Sequence, residues 1–110
     1  MRIEILINTF VFKTKYGEIN MPITISIPTI LRPLTDNQKR IEVDGSNVLD
    51  AIERMEQQYP GVKEKLITGG EAHRFVNIYV NDSDIRFSEG LSTKLTDGDL
   101  LTILPAVAGG

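Results

Sequence analysis

The most informative residues for chemistry in this chain are at its carboxyl end, Gly109-Gly110, reached through the slender leader Pro105-Ala106-Val107-Ala108. Glycine has no Cβ, so a diglycine end fits a narrow channel and leaves its terminal carboxylate unhindered for activation. The chemistry open to such a group is acyl transfer at Gly110 itself, performed by a second protein. Chain ends fray in many proteins, so the motif gains weight only from what surrounds it. Elsewhere, side chains that do chemistry are scarce. The 110 residues contain no cysteine, which removes disulfides, thiolate catalysis and Cys-based metal sites together. The single histidine, His73, allows no His–His metal pair and reads best as a hydrogen-bonded structural side chain. No metal site is expected, and little in the chain is equipped to act on another molecule.

A chain of this length fits one domain around a single hydrophobic core. Its formal charge is −3 with no block of Lys or Arg, which argues against nucleic acid as the main partner. No apolar stretch approaches the roughly 20 residues needed to cross a bilayer, so no membrane partner is expected. The N-terminal run Met1 to Asn8 carries Glu4 inside its apolar part and lacks a small-residue cleavage site. It does not read as a secretion signal, which makes a cytoplasmic location the default expectation.

The elements that must position the tail follow from periodicity. Ile3, Ile5 and Ile7 alternate within Arg2 to Phe12, a strand pattern. Ile23, Ile25 and Ile27 repeat it, and Pro28 stops that strand by removing a ladder donor. A loop with Ile30, Leu31 and Arg32 runs to Pro33, and Lys39 to Val43 forms a returning strand. Ser46 is expected to cap a helix whose stripe is Val48, Ile52, Met55 and Tyr59, ended by Pro60-Gly61. Val62, Leu66 and Ile67 suit one more helical turn before Gly69-Gly70. Phe75 to Val80 is a strong strand, with Val76, Ile78 and Val80 on one face and Phe75, Asn77 and Tyr79 on the other. Ile85-Arg86-Phe87 reads as a short edge strand, and Leu91-Ser92-Thr93 as a helical turn. Leu100 to Leu104 is an apolar run, expected to be central and buried on both faces. One helix against a mixed sheet is an α+β layer architecture, and this element order is that of a β-grasp roll.

Four blocks in order carry a family resemblance: Ser26 to Pro33, His73 to Asp82, Asp84 to Phe87, and Thr102 to Gly110, with the Asp97-Gly98-Asp99 turn between the last two. From about Met21 to Gly110 the chain resembles the ubiquitin-like sulfur carrier proteins, the MoaD/ThiS group, and within it most nearly the carriers of cysteine biosynthesis. That resemblance implies a β-grasp domain over residues 21–104 and a flexible diglycine tail over 105–110. Residues 1–20 are an N-terminal extension that the family pattern does not require. They would be an added strand, a lineage-specific arm or translation from an upstream start.

The resemblance further implies a protein co-substrate rather than an enzyme. Gly110 would be adenylated by an E1-like enzyme using ATP and Mg²⁺, then converted to a thiocarboxylate, with Gly109 before it. The recipient would be a PLP-dependent cysteine synthase acting on O-phosphoserine, and a zinc metalloprotease would release the cysteine. None of these cofactors would be bound by this chain. Alternatives within the resemblance are a molybdopterin synthase small subunit, a thiamine-pathway carrier, or a ubiquitin-like modifier attacked by lysine amines. Phe75 and Tyr79 are expected to help dock partners, together with Leu104, Pro105, Ala106, Val107 and Ala108 leading to the tail. Arg32, Arg74 and Arg86 either pair with acidic partner surfaces or are simply solvated.

Overall fold

The computed structural model describes residues 22–106. The strand expected over Arg2 to Phe12 and the residues Val107, Ala108, Gly109 and Gly110 lie outside the described residues.

Strand β1, Pro22–Ser26, alternates as the pleat demands: Ile23 and Ile25 have no exposed surface, while Thr24 and Ser26 lie on the other face. Pro28 starts a 3-10 helix, Thr29–Leu34, where the sequence pattern indicates only a loop. The fully buried Thr35 closes this segment, its hydroxyl placed to donate its one proton to the Gln38 carbonyl at 3.2 Å, with the Arg32 carbonyl at 3.4 Å. Strand β2, Arg40–Asp44, then returns antiparallel to β1, with Ile25 opposite Ile41 and Thr24 opposite Glu42.

Helix α1 spans Val48–Gln58 and buries Val48, Ala51, Ile52 and Met55. Its cap is Asn47 rather than Ser46: the Asn47 side chain accepts from the Asp50 amide at 2.7 Å. Asp50 reaches back to the amide of Ser46 at 2.9 Å, so Ser46 is a donor to the first turn. Both residue types cap well; the choice falls to Asn47 because the chain is pinned beside it. Leu95 donates to the Ser46 carbonyl and Val48 to the Thr93 carbonyl, while Gly45 leaves a Cβ position only 3.1 Å from Ala51. Tyr59 lies just past the helix as its C-cap and only partly buried.

Gly61, at φ 107°, turns the chain into α2, Val62–Leu66, where Val62 and Leu66 are buried. The Glu56 carboxylate caps this turn, accepting from the Gly61 and Lys63 amides at 3.1 and 2.9 Å. A small hairpin follows, β3 (Ile67–Thr68) and β4 (Glu71–Ala72), across Gly69 and Gly70, both at positive φ. Strand β5, Val76–Val80, and the two-residue β6, Ser83–Asp84, pair through Tyr79 opposite Asp84. Ile85–Phe87 is a 3-10 turn and not an edge strand. Asp84 accepts from the Arg86 amide at 2.8 Å, and its other oxygen from the guanidinium at 2.7 Å, a turn-forming geometry that ends the extended backbone. Gly90–Ser92 forms the helical turn.

The last strand, β7, runs Leu100–Pro105. It lies parallel to β1 and antiparallel to β5 in a sheet of order β2-β1-β7-β5-β6. Its central place is as expected, but its burial is one-sided. Leu101 and Ile103 are sealed against the helix layer, whereas Leu104 is 45% exposed. Among the described residues α1 packs on one face only, and no described helix covers the opposite face of β7. Parallel centre, antiparallel flanks and one packed helix make this a β-grasp fold.

Two tests follow. Asn47→Ala should cost about 1 kcal/mol in urea unfolding, the usual loss for a cap. Three carboxyls are held below their ordinary range: Glu56 by the Lys63 and Gly61 amides, and Asp84 by the Arg86 guanidinium. Asp99 is pushed up by burial but pulled further down by the Thr96 amide and hydroxyl and the Asn81 amide. The unfolded chain therefore binds more protons than the folded one in acid. Stability should be flat above about pH 5 and fall as pH drops below the ordinary carboxylate range near 4. Asp84→Asn should shallow that acid slope; an unchanged slope would contradict the assignment.

Candidate functional site

Everything that carries the tail converges at the C-terminal end of β7. Ile103 anchors it inward, Pro105 stands opposite Val76, and the Ala106 amide donates to the Phe75 carbonyl at 2.8 Å. Ala106 is thus held on the sheet. Four residues remain to Gly110, and a fully extended chain adds at most about 14 Å over that length. The point from which these residues continue is set by the Phe75–Ala106 hydrogen bond.

Phe75 is itself fixed by a compact turn. His73 donates its amide to the Leu66 carbonyl at 2.7 Å and accepts the Phe75 amide on Nδ1 at 3.3 Å. The imidazole lies 5.2 Å from the Phe75 ring, and the Arg74 guanidinium 5.3 Å from the ring centroid. His73 is therefore a structural side chain that shapes the approach to β5, as its lone occurrence suggested.

Beside this turn opens an apolar cleft of about 390 Å³. Its walls include Ile30, Leu31 and Leu34 from the 3-10 segment, facing Phe75, Leu104 and Pro105. Among the described residues Lys65 and His73 are the only titratable side chains lining it. Ile30 is 71% exposed and Phe75 53%. Of the residues expected to dock partners, the cleft gathers Phe75, Leu104 and Pro105. Tyr79 stands apart, opposite Thr102 and Asp84 and four residues along the strand, about 13 Å from Phe75 by strand rise.

Sequence reading missed Ile30, Leu31 and Leu34 as part of this site. The available signal was an apolar cluster inside a proline-bounded segment that lacked strand or helix period. Phe87, 87% exposed beside Arg86, does not line the cleft. The three arginines are engaged within the domain. Arg32 donates to the Ile27 carbonyl at 3.1 Å, Arg86 pairs with Asp84 and Asn77, and Arg74 covers Phe75. Among the described residues no group of His, Asp or Glu is placed to hold a metal ion, and no helix is long and apolar enough to cross a membrane.

A β-grasp body that ends in a pinned strand and a diglycine leader admits comparison with known families. A profile of the ThiS family matches residues 25–110, through the last glycine. The chain belongs to the ThiS family. It is 54% identical over 93 residues to the sulfur carrier protein CysO of Mycobacterium tuberculosis (strain ATCC 25618 / H37Rv), covering 82% of this chain and 100% of that protein. A chain in the crystal structure of the Amycolatopsis orientalis BexX/CysO complex superposes with a TM-score of 0.77 at 52% identity, covering 80% of this chain and 99% of that one. Small archaeal modifier protein 3 of Haloferax volcanii is 36% identical over 67 residues, covering 61% of this chain and 73% of that protein. The family likeness read from the four sequence blocks is thereby shown.

The cleft geometry separates surface from core in a measurable way. Ile30→Ser should change unfolding free energy by no more than about 0.5 kcal/mol, as for most exposed positions. Ile103→Ala, on the opposite wall and buried, should cost about 2–5 kcal/mol. Urea titrations of the two variants check both.

Proposed function

We propose that this ThiS-family chain is a sulfur carrier whose cargo rides on Gly110, serving cysteine biosynthesis. The observation that carries this reading is the match that runs unbroken to the terminal diglycine, together with 54% identity to CysO over that protein's whole length. The chain acts as a substrate protein, and the catalytic groups belong to its partners.

The chemistry follows from the electronic state of the end group. A carboxylate resists nucleophilic attack, since attack adds charge to an anion. An E1-like partner would let the Gly110 carboxylate attack the α-phosphate of ATP, releasing pyrophosphate and forming an acyl adenylate. Mg²⁺ and cationic groups of that partner would offset the phosphate charge. Sulfide, delivered by a sulfur donor, then adds to the acyl carbon and AMP leaves, giving the thiocarboxylate. This chain supplies the slender Val107 to Gly110 leader and no thiol to intercept the activated end.

In the recipient, a PLP-dependent synthase, the thiocarboxylate sulfur would add to an aminoacrylate derived from O-phosphoserine. An acyl shift from sulfur to nitrogen leaves cysteine joined to Gly110 by an amide, which a zinc metalloprotease would hydrolyse. The apolar cleft and Phe75 suit the docking of such partners, because its position at the root of the tail couples surface recognition to delivery. One further observation favours a second reading. The likeness to a small archaeal modifier protein fits a chain whose activated Gly110 is attacked by a lysine amine instead.

Intact-mass measurement on protein from its native host tests these readings. The carrier reading expects a fraction heavier by the exchange of one oxygen for sulfur, and another heavier by one cysteine residue. Removing Gly110 should abolish both species. Diglycine remnants on lysines of other proteins, with neither carrier species present, would establish the modifier reading instead.

A further inference from the structure

Among the described residues the sheet ends at β2, and that edge is self-complementary. Hydrogen-bonded pairs alternate along an antiparallel ladder. Because the Ile27 amide donates to the Lys39 carbonyl, the pairs Ile25–Ile41 and Ile23–Val43 are the bonded ones. Arg40, Glu42 and Asp44 consequently turn their backbone N–H and C=O groups away from β1, toward the open edge. Such a row is a template for another strand. The same residues carry the charges: the Arg40 and Glu42 side chains are exposed, and their neighbours on β1 are the uncharged Ser26 and Thr24. Neither side chain is in an ion pair among the described residues.

We propose that β2 is a homodimer interface, in which two copies pair antiparallel about a two-fold axis passing through Ile41. Arg40 of each copy then lies opposite Glu42 of the other, and these residues exchange N–H···O=C bonds with the groups the fold leaves outward. Symmetry doubles the set, giving two cross-strand ion pairs and four backbone hydrogen bonds around an Ile41–Ile41 contact. An isologous interface demands this kind of self-match.

The pleat and the charges together select this register. A one-residue slip would set outward-facing groups against inward-facing ones and exchange the two sheet faces. A two-fold through Glu42 sets Arg40 opposite Asp44 but drives the two Glu42 carboxylates against each other at its centre, and one through Arg40 opposes two guanidinium groups. Like charges directly opposite are destabilising, and only the register through Ile41 has none. The occupant is a second copy because β2 itself carries the complementary charge order at the required spacing. The dimer joins two sheets at the strand farthest from β5 and β6, and β1 separates it from β7, so both tails keep their origin at the Phe75–Ala106 bond.

A five-residue strand pair is a small interface, so association should be weak, within about 10 µM to 1 mM. Sedimentation velocity of the full chain across that range should show a concentration-dependent monomer–dimer equilibrium. Arg40→Glu and Glu42→Arg should each weaken it about tenfold or more, since each converts two attractions into repulsions. The double variant Arg40→Glu/Glu42→Arg restores the pairing and should recover dimerisation. Circular dichroism confirms that these exposed substitutions leave the fold intact. A chain that stays monomeric across the range, single variants that dimerise normally, or a double variant that fails to recover would overturn the proposal. Amide exchange at Arg40 and Glu42 adds a separate reading. Protection that rises with concentration supports self-pairing. Protection in a strictly monomeric sample means that another part of the same chain covers the edge, and sinks it.

Discussion

The parallel pairing of β1 with β7 is the constraint on which the rest of this structure depends. These strands are joined by most of the domain, yet they lie side by side, with Ile25 opposite Leu101 and Ser26 opposite Thr102. Ile23, Ile25, Leu101 and Ile103 are sealed beneath α1, where Ile52 and Met55 meet them without exposed surface. A parallel pair cannot be closed by a tight hairpin, so the intervening chain must travel out, cross as a helix and return. Placing the last strand at the centre of the sheet has a chemical consequence. The last strand is paired on both sides through Thr102 and on its β5 side through Pro105, after which the Ala106 amide donates to the Phe75 carbonyl.

Around that centre the polar groups set boundaries. Asn81, at φ 57°, ties the β5–β6 turn to β7 by donating to Asp99 and accepting from the Leu100 amide. Asp99 in turn receives the Thr96 amide, and the Thr24 amide donates to the Asp99 carbonyl. The start of β7 is thereby fixed at Asp99-Leu100, and a one-residue slip would expose Leu101 and Ile103. Its far end is fixed by Phe75. A body that controls both ends of one strand offers a defined departure point to an otherwise plain leader, and the apolar cleft opens at that point.

Much of the fold was legible in the residues because its signals are local. The period-two isoleucines of β1, the alternation in β5 and the Val48–Ile52–Met55 stripe each reflect geometry repeated within a few residues. The errors arose where two local choices were nearly equal or where burial depended on what lay above. Ser46 and Asn47 are both good caps, and contacts from Thr93 and Leu95 decided between them. Leu100 to Leu104 reads as an apolar run, but among the described residues the helix layer covers one face only. Ile85 to Phe87 has strand-forming side chains, while the Asp84 side chain bends the backbone into a turn.

The sequence alone determined the residue types that follow β7, a run of small side chains closing on Gly109-Gly110, and the lack of any cysteine among the 110 residues. It determined the elements too, because pleat and helix impose periods that side-chain order must obey. Only the tertiary structure decided what surrounds the tail. Ile30, Leu31 and Leu34 are more than 40 residues from Phe75 and about 70 from Leu104. They share a cleft because sheet order sets β1 beside β7 and β7 beside β5. Such proximity is a property of strand pairing across the whole chain, and no local period encodes it.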